Sequence, residues 1–260
     1  MTPVALTIAG SDPSGGAGIQ ADLKTFHQFG VYGEAALTLL TVQNTRGVTA
    51  VEHLAPDFVS AQIRAVVEDI PPQAIKTGAL GTRPIVETVA YELAHVACPV
   101  VVDPVMISKH GVPLMSDDAR QALLTMLLPR ATLITPNLHE AEAMTGQPVT
   151  DLEQMKEAAR MLVDRGAKAA LIKGGHLNGA AIDLLYDGVS FEEFAAERLA
   201  TLHTHGTGCT YSAAITALLA RGLTLTQALP QAKRFITEAI RFNPGLGHGS
   251  GPVNHFAPRP

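Results

Sequence analysis

Tryptophan is absent from this sequence, and aromatic residues make up only 5% of it. A chain so poor in aromatic rings has little with which to stack nucleic-acid bases, and its net charge of -5 gives no attraction for a phosphate backbone. Two cysteines, Cys98 and Cys209, are too few for a disulfide framework and suit a reducing compartment. No apolar run approaches the roughly 20 residues that span a bilayer, and the first apolar run, residues 4–9, lacks the basic start of a signal peptide. These absences predict a cytoplasmic protein that binds neither nucleic acid nor membrane.

The 260 residues are 47% hydrophobic and 17% charged, as in ordinary globular proteins, and they contain no internal repeat or linker-like stretch. A single domain over residues 1–260 is therefore expected. Short apolar or β-branched runs alternate with longer segments of helical character, which is typical of a parallel sheet covered by helices on both faces. The predicted strands are 4–9, 36–42, 74–76, 100–103, 133–135 and 169–173, and the predicted helices are 19–29, 56–69, 83–97, 117–128, 139–145 and 152–165. The expected fold class is thus α/β, with a mostly parallel central sheet.

The last third of the chain departs from this alternation. Asp187-Gly188 separates two strand-like runs, 181–186 and 189–194, and this dipeptide favours a tight hairpin. We expect the hairpin to form an antiparallel edge of the sheet. Two helices, 211–220 and 226–242, are predicted to follow.

The segment His205-Gly206-Thr207-Gly208-Cys209, which leads into the apolar residues 211–220, carries the clearest chemical signal. Its two glycines permit a tight turn, and the unpaired N–H groups of a helix start, together with the helix dipole, attract anions. The same field is expected to lower the pKa of the Cys209 thiol. A phosphate cradle beside a proton acceptor indicates phosphoryl transfer; alternatively, glycine and threonine serve only turn and capping geometry. Residues 206–209 are called the glycine turn below.

A glycine-rich loop, residues 10–18, follows the first predicted strand. It lacks the Lys-Ser/Thr of a P-loop. Its Gly16-x-Gly18-x-x-Ala21 pattern begins too far from the strand for dinucleotide binding, and Gln43 stands where an acidic residue would close the second strand. The glycines more readily let the backbone approach a small flat ligand, with Asp22 one turn into the helix. The alternative is a flexible strand–helix connection.

Polar side chains also stand at the ends of three other predicted strands. The Gln43 carboxamide complements the ring nitrogen and amino edge of an aminopyrimidine. Asp103, just before Pro104, can hold hydrated magnesium, and Lys173 offers a positive charge to phosphate oxygens. Each has a plain alternative: a solvated or capping glutamine, a turn aspartate, and a solvated lysine in a glycine-rich turn.

Asn137 and Glu140 follow the predicted strand 133–135 with the spacing Asn-x-x-Glu. With a helix starting near Leu138, both face the loop-lined cleft, and Glu140 can act on a metal or its waters. Alternatively, the pair forms a capping box at the helix start. Several such loops, together with the glycine turn, favour one shared kinase cleft at the carboxyl ends of the strands.

These motifs resemble the ribokinase superfamily and, within it, the hydroxymethylpyrimidine and phosphomethylpyrimidine kinases of thiamin biosynthesis. They span nearly the whole chain in the family's order. The matching segments are Thr7-Ile8-Ala9-Gly10-Ser11-Asp12, Gly15-Gly16-Ala17-Gly18-Ile19-Gln20-Ala21-Asp22-Leu23-Lys24, Gln43-Asn44-Thr45, Val102-Asp103-Pro104-Val105-Met106, Thr135-Pro136-Asn137 with Glu140, Lys173-Gly174-Gly175-His176, residues 203–210, and Gly247-His248-Gly249 with Gly251-Pro252-Val253.

The resemblance implies a ribokinase-like three-layer fold, commonly assembled as a dimer. It also implies a kinase that uses ATP and Mg²⁺ to phosphorylate a small pyrimidine. It implies that Cys209 accepts the hydroxymethyl proton while the N–H groups of the glycine turn hold the phosphoryl group. Most of the superfamily carries aspartate at the position of Cys209. The other implied site residues are Gly10, Asp22, Gln43, Ala79 and Val105 for the pyrimidine, Asn137, Lys173 and Thr207 for the nucleotide, Gly206 and Gly208 for the phosphoryl group, and Asp103 and Glu140 for Mg²⁺, directly or through water.

One motif departs from the family pattern. Ala79 stands where family members often carry a methionine, in Lys76-Thr77-Gly78-Ala79-Leu80. The smaller side chain predicts a roomier pocket that admits pyridoxal-like rings, so pyridoxal or pyridoxine kinase is the alternative activity. A non-catalytic binding module would need no metal carboxylates. A nicotinamide dehydrogenase would need the dinucleotide loop and acidic ribose ligand that are missing here.

Overall fold

The computed structural model describes residues 2–109, 111–175 and 181–259. His176, in the last position of one matching motif, lies outside the described residues. Within these ranges, nine strands form one sheet in the order β3-β2-β1-β4-β5-β6-β7-β8-β9. The strands are β1 Val4–Ser11, β2 Tyr32–Asn44, β3 Gly47–His53, β4 Ala74–Thr77, β5 Val100–Val102, β6 Leu133–Ile134, β7 Ala170–Gly174, β8 Ala181–Tyr186 and β9 Phe191–Ala196.

The centre of the sheet is parallel, and both edges are antiparallel. Parallel pairing joins β2, β1, β4, β5, β6 and β7, with Leu6 opposite Glu34 and Ile75 opposite Val100 in the register. On one edge β3 turns back against β2, and on the other β8 and β9 form the hairpin expected at Asp187-Gly188. The predicted mostly parallel α/β sheet is confirmed.

Helices cover the sheet on both faces and enclose two cores. Strand residues alternate between the faces, so Leu6 packs into the core beneath α2 to α6, whereas Ala5 packs into the core beneath α1, α7 and α8. The helices are α1 Gly18–Gln28, α2 Pro56–Asp69, α3 Arg83–Leu93, α4 Asp117–Ala122, α5 Leu138–Thr145, α6 Leu152–Asp164, α7 Thr207–Ala220 and α8 Leu225–Arg241. Among the described residues, no helix is both long and apolar enough to cross a membrane.

The structure corrects several predicted boundaries. The predicted helix 83–97 ends at Leu93, and the predicted helix 117–128 becomes α4, a π-helical turn over Leu123–Leu127 and a 3₁₀ turn over Leu128–Arg130 that contains Pro129. Strand β3 was not predicted, since its exposed residues show no buried alternation. Helix α7 begins at Thr207 rather than at residue 211, so the glycine turn is itself the helix start.

Candidate active site

A cavity of about 510 Å³ lies at the carboxyl ends of the parallel strands. Each strand delivers its polar residue to this edge, because parallel strands end on the same side of a sheet. The predicted site residues that line the cavity are Gly10, Gln43, Ala79, Asp103, Val105, Asn137, Glu140, Lys173, Gly206, Thr207, Gly208 and Cys209. The structure therefore brings together residues from seven separate stretches of the sequence.

The glycine turn forms part of the cavity wall. Gly206 is the N-cap of α7 at φ 77°, and a Cβ there would overlap the carbonyl oxygen of Gly16. A Cβ on Gly208 would lie 3.3 Å from Nζ of Lys173, so its absence leaves room for the lysine. No side chain caps the first turn of α7, which leaves backbone N–H donors at a cavity wall. This helix start is suited to holding an anion.

Cys209 lies in this turn with its side chain partly buried. Burial raises the pKa of its thiol to about 12, although the positive charge of Lys76 acts in the opposite direction. The lowered pKa predicted from the helix start is therefore wrong, because desolvation of the thiolate outweighs the favourable field. Near neutral pH Cys209 is a thiol.

Lys173 on β7 and Asp103, which follows β5, form a buried ion pair beside the turn. Lys173 Nζ lies 3.1 Å from Asp103 Oδ1, and Ser212 of α7 donates a hydrogen bond to Asp103 Oδ2 at 3.0 Å. Burial opposes the charge on Asp103, but Lys173 and Lys76 together hold the pKa of the carboxyl below its ordinary value. The pair is charged, and Lys173 carries its positive charge at the cavity wall.

Asn137 and Glu140 form the capping box that the sequence offered as an alternative. The Asn137 side chain accepts a hydrogen bond from the Glu140 backbone N–H at 2.9 Å, and Glu140 Oε2 accepts from the Asn137 N–H at 2.8 Å. Both residues also line the cavity, so the structural arrangement leaves them facing the same space as Asp103. Burial raises the pKa of Glu140, while Lys173 pulls it the other way.

The two carboxylates at the cavity suit a Mg²⁺ ion whose remaining ligands are phosphate oxygens and waters. Asp103 and Glu140 supply two hard carboxylates, and Mg²⁺ sites in kinases often use one or two carboxylates with phosphate oxygens and waters. Within the described ranges, no three side chains of histidine, cysteine, aspartate or glutamate come together as a metal cage.

Gln43 reaches the cavity from the end of β2 and contacts a histidine. Its amide nitrogen lies 3.1 Å from Nε2 of His205, and the same Nε2 lies 2.7 Å from Oδ2 of Asp12. Burial opposes the charge on Asp12, yet hydrogen bonds from His205 and Ser14 hold its pKa below the ordinary value. The sequence motifs contain His205 and Asp12, but sequence reasoning assigned them no function. The position of the histidine directly before the glycine turn was the available signal.

Asp22 has a different position from the one expected for a ligand contact. It is fully buried and is not among the residues that line the cavity. Its Oδ2 accepts hydrogen bonds from Thr7 at 2.6 Å and from Lys76 at 2.9 Å. Lys76 does line the cavity, so Asp22 stands behind the wall and supports it through this lysine.

Sequence reasoning also missed part of the apolar lining. The segment after Asp103 contributes Met106, Ile107 and Leu114 to the cavity, and β2 contributes Leu39. Ile107 is 56% exposed, so this wall is open to solvent. Its residues follow Asp103-Pro104 in an irregular stretch, where no periodic pattern signals burial.

Strand-end loops that combine an anion-binding helix start, a lysine and two carboxylates define a phosphotransferase of the ribokinase-like class. The chain belongs to the phosphomethylpyrimidine kinase family, whose sequence profile matches residues 12–254. It is 47% identical over 258 residues to the hydroxymethylpyrimidine/phosphomethylpyrimidine kinase of Staphylococcus aureus (strain MSSA476), a match that covers 98% of this chain and 94% of that one.

Solved structures resemble the chain over more than nine-tenths of its length, among them the following two. A phosphomethylpyrimidine kinase from Clostridium difficile 630 matches with a TM-score of 0.82 and 44% identity over 92% of this chain and 100% of that one. An ADP complex of Bacillus subtilis pyridoxal kinase matches with a TM-score of 0.92 and 42% identity over 99% of this chain and 98% of that one. The ribokinase-like fold expected from the sequence is confirmed.

Proposed function

We propose that this protein transfers the γ-phosphoryl group of ATP to the hydroxymethyl group of 4-amino-5-hydroxymethyl-2-methylpyrimidine, and then phosphorylates the monophosphate to the diphosphate, in thiamin biosynthesis. The observation that carries the proposal is that one cavity contains the glycine turn and Lys173 together with Gln43. The first two suit phosphate, and the third suits an aminopyrimidine edge. Membership of the phosphomethylpyrimidine kinase family supports the same activity.

The phosphate end of the cavity aligns the reacting groups. Lys173 and the N–H donors of the glycine turn hold the phosphoryl oxygens, and Thr207 and Asn137 contact the nucleotide. Asp103 and Glu140 are the residues that would hold Mg²⁺, in part through water, and the ion would supply positive charge to neutralise the phosphate oxygens. Phosphoryl transfer needs mostly alignment and charge stabilisation, which fixed donors supply.

Cys209 relays the hydrogen of the substrate hydroxyl. As a thiol, it accepts a hydrogen bond at Sγ and orients the hydroxyl oxygen toward the phosphoryl group. The hydroxyl becomes strongly acidic only as its bond to phosphorus forms, so the proton leaves late; Sγ takes it while the thiol gives its own hydrogen to an oxygen of the transferred phosphoryl group, and the cysteine ends as a neutral thiol.

The pyrimidine ring lies against Gly10, Ala79 and Val105, with Gln43 at its polar edge. Asp22 acts on this pocket indirectly, because its buried ion pair fixes Lys76 in the wall. We further propose that residues 1–260 form one kinase domain, that the protein is a cytoplasmic homodimer, and that neither nucleic acid nor membrane is a partner.

Pyridoxal phosphorylation is the second candidate activity, and Ala79 is the observation that favours it. A methyl group at this position of the lining leaves more room for a substituted pyridine than a methionine would, and a pyridoxal kinase is among the similar structures.

Product analysis by mass spectrometry tests both activities together. The protein is incubated with MgATP and an equimolar mixture of hydroxymethylpyrimidine and pyridoxal. Pyrimidine mono- and diphosphate should appear first; dominant pyridoxal phosphate would reassign the protein to vitamin B6 salvage. An Ala79→Met variant serves as the matched control, and it should lower any pyridoxal product more than the pyrimidine products. Absence of every phosphorylated product would refute both activities.

A further inference from the structure

His205 connects the substrate side of the cavity to a loop that lies beside it. Its side chain is buried, and its Nε2 is within hydrogen-bond distance of Asp12 Oδ2 at 2.7 Å and of the Gln43 amide at 3.1 Å. One ring nitrogen therefore serves two neighbours. It carries at most one hydrogen, so it cannot donate to Asp12 and also accept from Gln43.

Asp12 determines which of these two interactions the ring nitrogen makes. Its Oδ1 accepts hydrogen bonds from the backbone N–H and hydroxyl of Ser14, and its Oδ2 accepts from the N–H groups of Gly16 and Ala17. A carboxyl group surrounded by donors at both oxygens is a carboxylate and has no hydrogen to offer. Nε2 of His205 must therefore carry the hydrogen and direct it at Asp12.

The hydrogen on Nε2 of His205 also determines which atom of the Gln43 amide faces the ring. If the amide atom facing the ring were nitrogen, two N–H donors would oppose each other at 3.1 Å. A half-turn of the amide exchanges its oxygen and nitrogen with little change in shape. The oxygen then shares the hydrogen of His205 Nε2, and the NH₂ group is directed away from the ring.

We propose that His205 is a positioning residue that fixes the Gln43 carboxamide with its oxygen on the imidazole and its NH₂ group toward the substrate. Gln43 then offers the cavity donors only. The ligand atom that it recognises is an acceptor, such as an unprotonated nitrogen of an aromatic ring, and the exocyclic amino group must find its acceptor elsewhere. This inference rests on the proposed pyrimidine substrate.

The polarity of Gln43 can be tested with two substitutions of similar size, Gln43→Glu and Gln43→Met. The dissociation constant of hydroxymethylpyrimidine, without ATP, is measured by calorimetry at pH 8, where a glutamate is ionised. Loss of one hydrogen bond in the methionine variant should weaken binding about 3- to 10-fold. The glutamate variant should bind at least about tenfold more weakly than the methionine variant, because its oxygens repel the ring nitrogen. Binding by the glutamate variant as tight as wild type would overturn the proposal.

The positioning role of His205 is tested by a double-mutant cycle with His205→Phe and Gln43→Met. His205→Phe removes the hydrogen bond that holds the Gln43 amide. In protein that keeps Gln43, it should weaken pyrimidine binding about 3- to 10-fold; in the Gln43→Met background, its effect should be less than about twofold. His205→Gln, which restores an N–H donor, should recover most of the affinity. Equal effects in both backgrounds would show that His205 acts through the loop of Asp12 alone and would overturn the proposal.

These results are separable from the proposed function. If wild-type protein neither binds nor phosphorylates hydroxymethylpyrimidine, the substrate assignment fails. If wild-type protein binds it and the variants show no polarity effect or coupling, the substrate stands and the orienting role of His205 fails.

Discussion

The buried pair of Asp22 and Lys76 gives the sharpest prediction about how the pocket is supported. Both side chains are 0% exposed, and Lys76 Nζ lies 2.9 Å from Asp22 Oδ2. Burial opposes the charge on Lys76, but acidic neighbours, Asp22 first among them and Asp103 further away, raise the pKa of the ammonium above its ordinary value. An Asp22→Asn substitution keeps the shape and removes the carboxylate to which this ammonium is hydrogen-bonded.

Breaking one partner of a buried ion pair lowers the free energy of unfolding by about 3–5 kcal/mol. For a domain of about this size, 1 kcal/mol corresponds to a change in Tm of about 2–4 °C, so we expect Asp22→Asn to lower Tm by about 6–20 °C. The double variant Asp22→Leu/Lys76→Met replaces the pair by apolar groups and should recover much of that loss.

Urea unfolding and thermal melts of the single and double variants measure the effect, and steady-state kinetics well below Tm complete the comparison. A loss below about 1 kcal/mol in Asp22→Asn would refute the structural reasoning. A raised KM for the pyrimidine at unchanged stability would instead support the direct substrate contact that the sequence first suggested.

The other predictions concern the glycine turn and one buried acid. Gly206→Ala should lower kcat more than tenfold, because φ 77° is strained for alanine by about 1–2 kcal/mol and its Cβ would meet the Gly16 carbonyl; kinetics near wild type would contradict this account. Cys209→Ala should lower kcat at least about tenfold with less than about a twofold change in the KM for ATP, and Cys209→Asp should retain more activity than the alanine variant. Unchanged turnover in Cys209→Ala would show that the cysteine takes no part in proton transfer. Burial, and then the charge of Asp69, raises the pKa of Glu34 to about 7 from an ordinary 4.5. Its folded form therefore holds a proton that the unfolded chain has released, and stability is lost as pH rises from about 4.5 to 7. At pH 8, Glu34→Gln should be more stable than wild type by up to about 3 kcal/mol, with a much smaller gain at pH 4.5; urea unfolding that shows the same difference at both pH values would contradict it.

Sequence patterns predicted the parts of this fold that depend on regular burial. The inner strands are continuous apolar runs because both faces are covered, and the Asp187-Gly188 hairpin follows from local turn chemistry. Strand β3 escaped prediction, because its residues are mostly exposed and its place is fixed by pairing with β2. Tertiary pairing of this kind leaves little trace in local periodicity.

The candidate site likewise contains some features that the sequence predicts and others that it does not. Residues at the carboxyl ends of strands, such as Asp103 and Lys173, could be assigned to one cleft, because parallel topology fixes where strand ends meet. The burial of Asp22 and the raised pKa of the Cys209 thiol could not be predicted, since both depend on neighbours such as Lys76 that are distant in sequence. The connection of His205 to Asp12 joins residues 193 positions apart and is likewise a property of the folded state.

The packing around helix α7 makes one part of the cavity wall more rigid than another. Every residue from 210 to 220 is buried, so the helix is enclosed on all sides and cannot tilt or slide without opening the core around it. The glycine turn at its start is therefore held in place by the core, whereas the part of the wall that contains the exposed Ile107 has fewer packed neighbours to hold it. The two proposed substrates, the pyrimidine and its monophosphate, differ in length by one phosphate group. Each must nevertheless bring its accepting oxygen to the same position beside the glycine turn. The difference in length must then be taken up at the end of the cavity that holds the ring.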